Sequence, residues 1–165
     1  MINLIYNKDI KEIENKDSIT PNEMTLLPLK NALETKIQQY CHNIFKQLSF
    51  DLERKYGKKV VEFVQMDNGG KMGFAQKAKK KAEGTKAGMP DVSLFCGSPY
   101  GQYSKVILVE FKRMGITNEK CISEEQRYYH DWFNSIGFKA YITNNPIFFR
   151  DVICKEVTDF FDSIQ

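Results

Sequence analysis

Two short segments of this sequence combine residue types that could hold a divalent cation next to a phosphate group. Asp91 ends the tetrapeptide Gly88-Met89-Pro90-Asp91, and nineteen positions after it Glu110 begins the tripeptide Glu110-Phe111-Lys112. Mg²⁺ prefers oxygen ligands and usually takes one or two carboxylates, which leaves room for waters and substrate phosphates. A lysine beside such an ion can orient a water molecule, so the combination points to hydrolysis of a phosphodiester bond.

Two neighbouring strands would have to bring these side chains together. Strand-forming residues follow Asp91 at positions 92–95 and precede Glu110 at positions 106–109. If the two runs pair as a hairpin, Asp91 and Glu110 lie at the same end of a sheet. Because strand side chains alternate between faces, Glu110 and Lys112 would then share a face, with Phe111 on the other. The alternative for so short a motif is a solvated strand end in which Lys112 merely pairs with Glu110.

The flanking sequence predicts further elements on both sides of this hairpin. A helical pattern opens at Pro28, with Glu34 early in it at the border of the polar face. A strand is predicted at 60–65 and a turn at 67–70, and another strand at 139–143. The predicted order is helix, three strands, helix, strand. The apolar stripe predicted for the first helix consists of Leu29, Leu33, Ile37, Tyr40, Ile44 and Leu48.

The second predicted helix opens with a capping signal. Ser123-Glu124-Glu125-Gln126 is typical of an N-cap with a capping box, and Gly137 is a stop signal. The helix between them carries a group of aromatic residues, for which we expect core packing rather than base stacking. They are Tyr128, Tyr129, Trp132 and Phe133.

This succession of elements resembles the VRR-NUC (virus-type replication-repair nuclease) domain of the PD-(D/E)XK nuclease superfamily. The resemblance runs from about Glu34 to Thr143, through the turn at 68–70 and the motifs at 88–91, 109–112 and 123–126. It implies an α/β fold of restriction-endonuclease-like type, a mixed β-sheet flanked by helices. The nuclease core would span residues 29–145 of a single domain, with an N-terminal extension of uncertain structure at 1–28 and a closing helix at 146–165. One departure is Asp67, where the family often has a proline.

Carried over residue by residue, the resemblance implies a Mg²⁺ or Mn²⁺ site. Asp91 and Glu110 would be metal ligands, the Phe111 backbone carbonyl a further ligand, and Lys112 the residue that positions or activates water. Glu34 would reach the site directly or through a metal-bound water.

Gln126 would match the helix glutamine that faces the site and supports the lysine or the DNA. Capping alone is the alternative explanation for Gln126. For Glu34 the alternative is the helix dipole, which favours a glutamate in any first turn.

The resemblance also implies an activity and its partners. Stand-alone domains of this size resemble phage and bacterial members that act as homodimers on branched DNA such as Holliday junctions. Their products carry 5′-phosphate and 3′-hydroxyl ends. Three alternatives remain open: a flap or single-strand nuclease, a restriction-type enzyme that reads a specific sequence, and a DNA-binding module with a nuclease fold and no turnover.

A lysine-rich segment precedes Asp91 and is predicted to bind DNA. Lysines at a duplex backbone give salt-dependent affinity that is largely independent of sequence, whereas the alternative is a solvated helix face. Six lysines stand here against one acid, Glu83. The predicted DNA-binding residues are Lys71, Lys77, Lys79, Lys80, Lys81 and Lys86.

Composition sets the outer bounds. With 165 residues, 42% of them hydrophobic, the chain can form one domain with a sizeable core. Four scattered cysteines without a Cys-x-x-Cys pair argue against zinc and disulfides and predict a reducing cytoplasm. We find no membrane-spanning run and no signal peptide. The glycine-rich stretch at 69–73 lacks the spacing of a Walker phosphate-binding loop, so we expect no nucleotide cofactor. Apolar residues near both ends of the chain, which the predicted core does not account for, are the reason for predicting a homodimer.

Overall fold

The protein is described by a computed structural model covering residues 1–66, 75, 78, 79, 82 and 84–164. The predicted turn at 67–70 lies outside the described residues. The strands are β1 Ile2–Asn3, β2 Val61–Gln65, β3 Val92–Gly97, β4 Ser104–Phe111 and β5 Lys139–Thr143. The helices are α1 Asn7–Glu14, α2 Pro21–Leu26, α3 Glu34–Tyr56, α4 Glu124–Ser135, α5 Pro146–Phe148 and α6 Cys154–Ser163.

The strands form one mixed sheet with the order β1-β5-β4-β3-β2. Strand β5 lies parallel to both β1 and β4, whereas β3 is antiparallel to β4 and to β2. Helices flank this sheet, which confirms the predicted α/β class and is compatible with a restriction-endonuclease-like fold.

The predicted hairpin of β3 and β4 is confirmed. Val92 is the register partner of Val109, so the next positions outward are Asp91 and Glu110. The side chains of Val92, Leu94 and Val109 are fully buried on the face that α3 covers. The sheet therefore presents Asp91 and Glu110 at one end and towards its other face.

Helix α3 begins later than predicted. Residues Leu27–Leu29 form a turn of 3₁₀-helix, and Asn31 has a left-handed φ of 60°, so the α-helix starts only at Glu34. The predicted apolar stripe is wrong at Leu33 and Tyr40, which are exposed. The buried positions of α3 are Ile37, Cys41, Phe45 and Leu52. Leu29 is buried through the turn instead, which is why the apolar pattern seemed continuous.

Both ends of the chain pack into the same core as the sheet. Strand β1 pairs with β5, and Ile10 and Ile13 of α1 are buried in the core. At the C-terminus a π-helical turn, Phe149–Ile153, joins α5 to α6. Four buried residues of this turn and α6 recur every four positions: Phe149, Ile153, Val157 and Phe161. Most of the apolar residues that suggested the homodimer therefore pack within one copy of the chain, although Ile19 is exposed.

Helix α4 lies on the opposite face of the sheet from α3 and contacts β5. None of its residues is buried within the described structure. The predicted core packing is wrong for Tyr128 and Trp132, whose side chains are exposed, while Tyr129 and Phe133 are half-buried. Among the described helices, none has the length and apolar character required to cross a bilayer.

Candidate active site

Glu110 and Lys112 form an ion pair at the end of β4. The Lys112 Nζ donates a hydrogen bond of 2.7 Å to Glu110 Oε1. Both residues are almost fully buried, with exposures of 5% for Glu110 and 4% for Lys112. The lysine backbone is fixed as well, since its N–H donates to the Thr143 carbonyl on β5 at 3.0 Å. A charged pair at this depth is costly unless its geometry is good, which marks it as a candidate for chemistry.

Gln126 caps α4 and binds the carboxylate of Glu110 with the same side chain. Its amide oxygen accepts from the Ser123 backbone N–H at 3.0 Å, and the Ser123 hydroxyl accepts from the Gln126 N–H at 3.2 Å. Its amide nitrogen donates to Glu110 Oε1. Gln126 can therefore cap the helix and face the site at the same time. The cap uses only the oxygen of its side-chain amide, which leaves the nitrogen for Glu110.

Asp91 is held at the neighbouring strand end. Its Oδ2 accepts from the Phe111 backbone N–H at 2.8 Å, and its own carbonyl accepts from the Met66 N–H at 2.8 Å. The Phe111 side chain is fully buried on the other face of the sheet, as the alternation predicted. Strand β4 ends at Phe111, and the backbone carbonyl of Phe111 directly precedes Lys112 in the chain.

Glu34 approaches this cluster from the opposite layer. It is the first residue of α3, and its Oε1 lies 4.0 Å from the Lys112 Nζ. Its side chain is 54% exposed, so it can turn towards either the lysine or solvent. The structure thus brings together all five side chains that the sequence predicted for the site: Glu34, Asp91, Glu110, Lys112 and Gln126.

The electrostatics of the cluster centre on Glu110. Burial, followed by the nearby charge of Asp91, raises the pKa of the Glu110 carboxyl from 4.5 to about 7, against the opposing effect of Lys112. Its second oxygen, Oε2, is buried and has no hydrogen-bond partner among the described residues. An orphaned carboxylate oxygen of this kind costs free energy that a cation at the site would recover.

The residues present fit a hard divalent cation. Carboxylate and carbonyl oxygens are the donors that Mg²⁺ and Mn²⁺ prefer, and Glu110 Oε2 is an unused donor next to Asp91. The described residues include no ready-made cluster of three or more His, Cys, Asp or Glu side chains around one point. The candidate metal centre rests on the pair Asp91 and Glu110.

Sequence reasoning missed the role of Asn144, which is fully buried beside the site. Its Oδ1 accepts from the Ile5 N–H at 2.6 Å, and its Nδ2 donates to the Ile5 and Arg113 carbonyls, both at 2.9 Å. Asn144 therefore ties the N-terminal segment to the residue after Lys112. The adjacent pair Asn144-Asn145 before Pro146 is a turn signal in the sequence, but nothing in it indicates a buried bridge.

Of the lysines predicted to bind DNA, the structure describes two. Lys79 and Lys86 are exposed, whereas Lys71, Lys77, Lys80 and Lys81 lie outside the described residues. Lys86 lines a surface cavity of about 440 Å³ together with Tyr128 and Tyr129 of α4. It therefore lies close to the end of α4 that carries Gln126.

No protein-family model matches this chain, and neither the curated proteins nor the solved structures compared with it give a significant match.

Proposed function

We propose that this protein is a Mg²⁺- or Mn²⁺-dependent nuclease that hydrolyses phosphodiester bonds in branched or otherwise structured DNA. One observation carries the proposal. A buried glutamate, Glu110, uses one oxygen to bind Lys112 and Gln126 and leaves the other without a partner, beside Asp91 at a sheet end. Ordinary solvated strand ends leave their lysine and glutamate exposed, whereas this pair is almost fully buried.

Asp91 and Glu110 would hold the ion, with the Phe111 carbonyl and Glu34 as further oxygen donors. A bound divalent cation supplies charge neutralisation at the phosphate and a lower pKa for coordinated water. Glu110 must ionise to serve as a ligand, and its pKa of about 7 puts that proton within reach of physiological pH. Asp91 is already oriented by the Phe111 N–H.

Lys112 acts on the water and on the phosphate. Its ammonium is held by Glu110 Oε1 at 2.7 Å, and its backbone N–H donates to the Thr143 carbonyl at 3.0 Å, so its position is fixed from two strands. A fixed cation at that point orients the attacking water and stabilises the charge that develops on the phosphoryl oxygens. Gln126 contributes by keeping the Glu110 carboxylate in the orientation that the lysine requires.

The resemblance to VRR-NUC domains supports branched DNA as the substrate and 5′-phosphate and 3′-hydroxyl ends on the products. Lys86, exposed beside the N-terminal end of α4, and Lys79 supply positive charge for a DNA backbone. A homodimer would suit paired incisions in a symmetric junction. Its support from the sequence is weaker, because most of the terminal apolar residues pack within the chain. Light scattering across a range of concentrations decides the oligomeric state.

The decisive experiment is cleavage of labelled four-way junction, flap, duplex and single-stranded DNA with Mg²⁺, Mn²⁺ or EDTA. Wild type is compared with Asp91→Ala. Metal-dependent cutting that the variant loses supports the nuclease, and the preferred substrate separates a junction enzyme from a flap or single-strand nuclease. Tight binding without cutting in any metal would replace the proposal with a DNA-binding module.

A further inference from the structure

A second cavity lies beside the candidate active site, between α3 and the edge strand β2. Its volume is about 210 Å³, and it is lined by Thr35, Gln38, Gln39, His42, Phe63 and Gln65. Thr35 follows Glu34 in the chain, and Gln65 pairs in register with Val92, the residue after Asp91. The cavity therefore adjoins the end of the sheet that carries Asp91, on the face that α3 covers.

The cavity is lined by polar side chains that make no hydrogen bond to other described residues of the protein. The side chains of Thr35, Gln38, Gln39 and Gln65 form no hydrogen bond with any other residue in the described ranges. Other amides do: Gln126 caps α4 and binds Glu110, and Asn144 makes three hydrogen bonds. Three carboxamides line the cavity; those of Gln39 and Gln65 are solvent-exposed, and Gln38 is half-buried, so their donors and acceptors are accessible to a ligand.

The wall of the cavity is aromatic. The rings of His42 and Phe63 are stacked, with centroids 4.7 Å apart and an interplanar angle of 28°. Both residues are half-buried, so their rings also contribute surface to the cavity. Burial lowers the pKa of His42, with a further contribution from Lys46, which favours its neutral form.

These features indicate which chemical class of ligand the cavity can bind. Among the described residues, no aspartate, glutamate, lysine or arginine lines the cavity, which makes this lining a poor match for a phosphate or a metal ion. Its volume is below the roughly 300–1,000 Å³ of pockets that hold drug-sized ligands, so it suits one flat ring system. Carboxamides that read a polar edge, beside aromatic rings that offer a stacking surface, are how proteins bind a base extruded from the helix.

We propose that this cavity binds one unpaired nucleobase of the DNA, next to the phosphate that is cleaved. The proposal rests on the nuclease function and narrows its substrate class. A base inside an intact duplex cannot enter the cavity, so the preferred substrate carries an unpaired nucleotide beside the cut, as at a branch point or a flap.

The test uses flap and junction substrates in which a single abasic nucleotide is moved through the positions that flank the cut. Single-turnover cleavage is measured for wild type, for the double variant Gln38→Ala/Gln65→Ala and for Gln47→Ala. Gln47 is the control because it lies on the same helix and bonds Asp51 instead of facing the cavity.

At one position, wild type and Gln47→Ala should lose about tenfold in cleavage rate when the base is missing, the scale of the hydrogen bonds that carboxamides make to the edge of one base. The double variant should cleave the intact and abasic substrates at the same, slower rate. If wild type cleaves every abasic substrate as fast as the intact one, the base site is wrong and the nuclease proposal is unaffected. The base site is also wrong if the double variant loses cleavage rate at the same abasic position, and by the same factor, as wild type.

A second measurement stays informative if nothing is cleaved. 2-Aminopurine is placed at each unpaired position of the flap, and its fluorescence change on binding is compared for the same three proteins. A change in wild type that the double variant loses supports the base site even if the nuclease proposal fails. No change in wild type, or an equal change in the double variant, overturns the base site.

Discussion

Gly88 and Gln126 lie in backbone contact, which links the Gly88-Met89-Pro90-Asp91 segment to the N-terminus of α4. A Cβ atom on Gly88 would lie 2.8 Å from the backbone nitrogen of Gln126 and 2.5 Å from the backbone carbonyl carbon of Glu125. The φ of Gly88 is also left-handed, at +82°. The glycine thus lets the loop that presents Asp91 approach the helix that holds Glu110 through Gln126.

Gly88→Ala should therefore damage both stability and cleavage. The left-handed backbone alone costs about 1–3 kcal/mol in the free energy of unfolding. The contact with backbone atoms pushes the first turn of α4 away and weakens the bond from Gln126 to Glu110. The measurements are chemical denaturation and single-turnover cleavage.

Gly137→Ala is the matched control. Its φ is +93°, yet none of the described atoms lies within 4 Å of the added methyl group. We expect it to lose only the backbone part of that free energy of unfolding, about 1–3 kcal/mol, and to keep its cleavage rate. Equal cleavage rates for the two variants would show that the contact with α4 does not matter for activity.

Lys112→Ala should lower the rate of cleavage by at least about 10²-fold and leave DNA affinity nearly unchanged. The ammonium acts on the water and the phosphate rather than on the bulk of the DNA. The comparison is with Lys105→Ala, because Lys105 lies at the other end of β4 and pairs with Glu156 at 3.0 Å. Normal turnover in Lys112→Ala would remove its assigned role.

The stability of the protein in EDTA should depend on the ionisation of Glu110. Its pKa is about 7 in the folded state against an ordinary value of 4.5. Between these values the folded protein holds a proton that the unfolded chain has lost. The free energy of unfolding therefore falls as pH rises from 4.5 to about 7, by on the order of 3 kcal/mol, and this contribution is constant above that.

Denaturation in urea across this pH range measures the effect, and Glu110→Gln isolates it from other titrating groups. The variant should lose that part of the pH dependence. Parallel curves for wild type and variant would show that Glu110 has an ordinary pKa in the folded state.

Added Mg²⁺ should stabilise wild type at about pH 8, where Glu110 is ionised. Binding to the folded state alone raises the free energy of unfolding by about 2.7 kcal/mol at a hundredfold excess over the Kd. Asp91→Asn and Glu110→Gln should abolish the rise in Tm. Asp159→Asn should keep it, because Asp159 pairs with Lys155 on α6. The same Tm rise in all four proteins would place the ion elsewhere.

Lys86→Gln should weaken DNA binding evenly across sequences and reduce the slope of log Kd against log salt by about one. The reason is that an exposed lysine beside α4 would neutralise one phosphate. Lys155→Gln serves as the control, since its ammonium is already paired at 2.7 Å with Asp159. An unchanged salt slope in Lys86→Gln would mean that DNA passes elsewhere.

The sequence allowed prediction of the elements that have strong local signals. The apolar runs around Asp91 and Glu110 predicted β3, β4 and their pairing, and Ser123 with Gln126 predicted the start of α4. The placement of Glu110 and Lys112 on one face followed from the same residues, because strand alternation determines which side chains share a face.

Other features depend on contacts that no local pattern encodes. Strand β1 has two residues and exists only because β5 offers a parallel edge. The start of α3 was misplaced because Leu29 is apolar for a different reason, burial through a 3₁₀ turn. The bridge made by Asn144 joins residues that are 139 positions apart, so neither partner predicts the other.

The position of β5 in the sheet sets an order on folding during synthesis. It lies between β1 and β4, so the first strand of the chain has no partner until residues 139–143 have been made. Closing so long a loop is slow, and the N-terminal segment stays exposed meanwhile. The hydrogen bonds that the Lys112 N–H donates to Thr143 and the Ile5 N–H donates to Asn144 form in that same late step. A nascent chain truncated before β5 would therefore carry Asp91 and Glu110 in a hairpin but lack the support that positions the lysine.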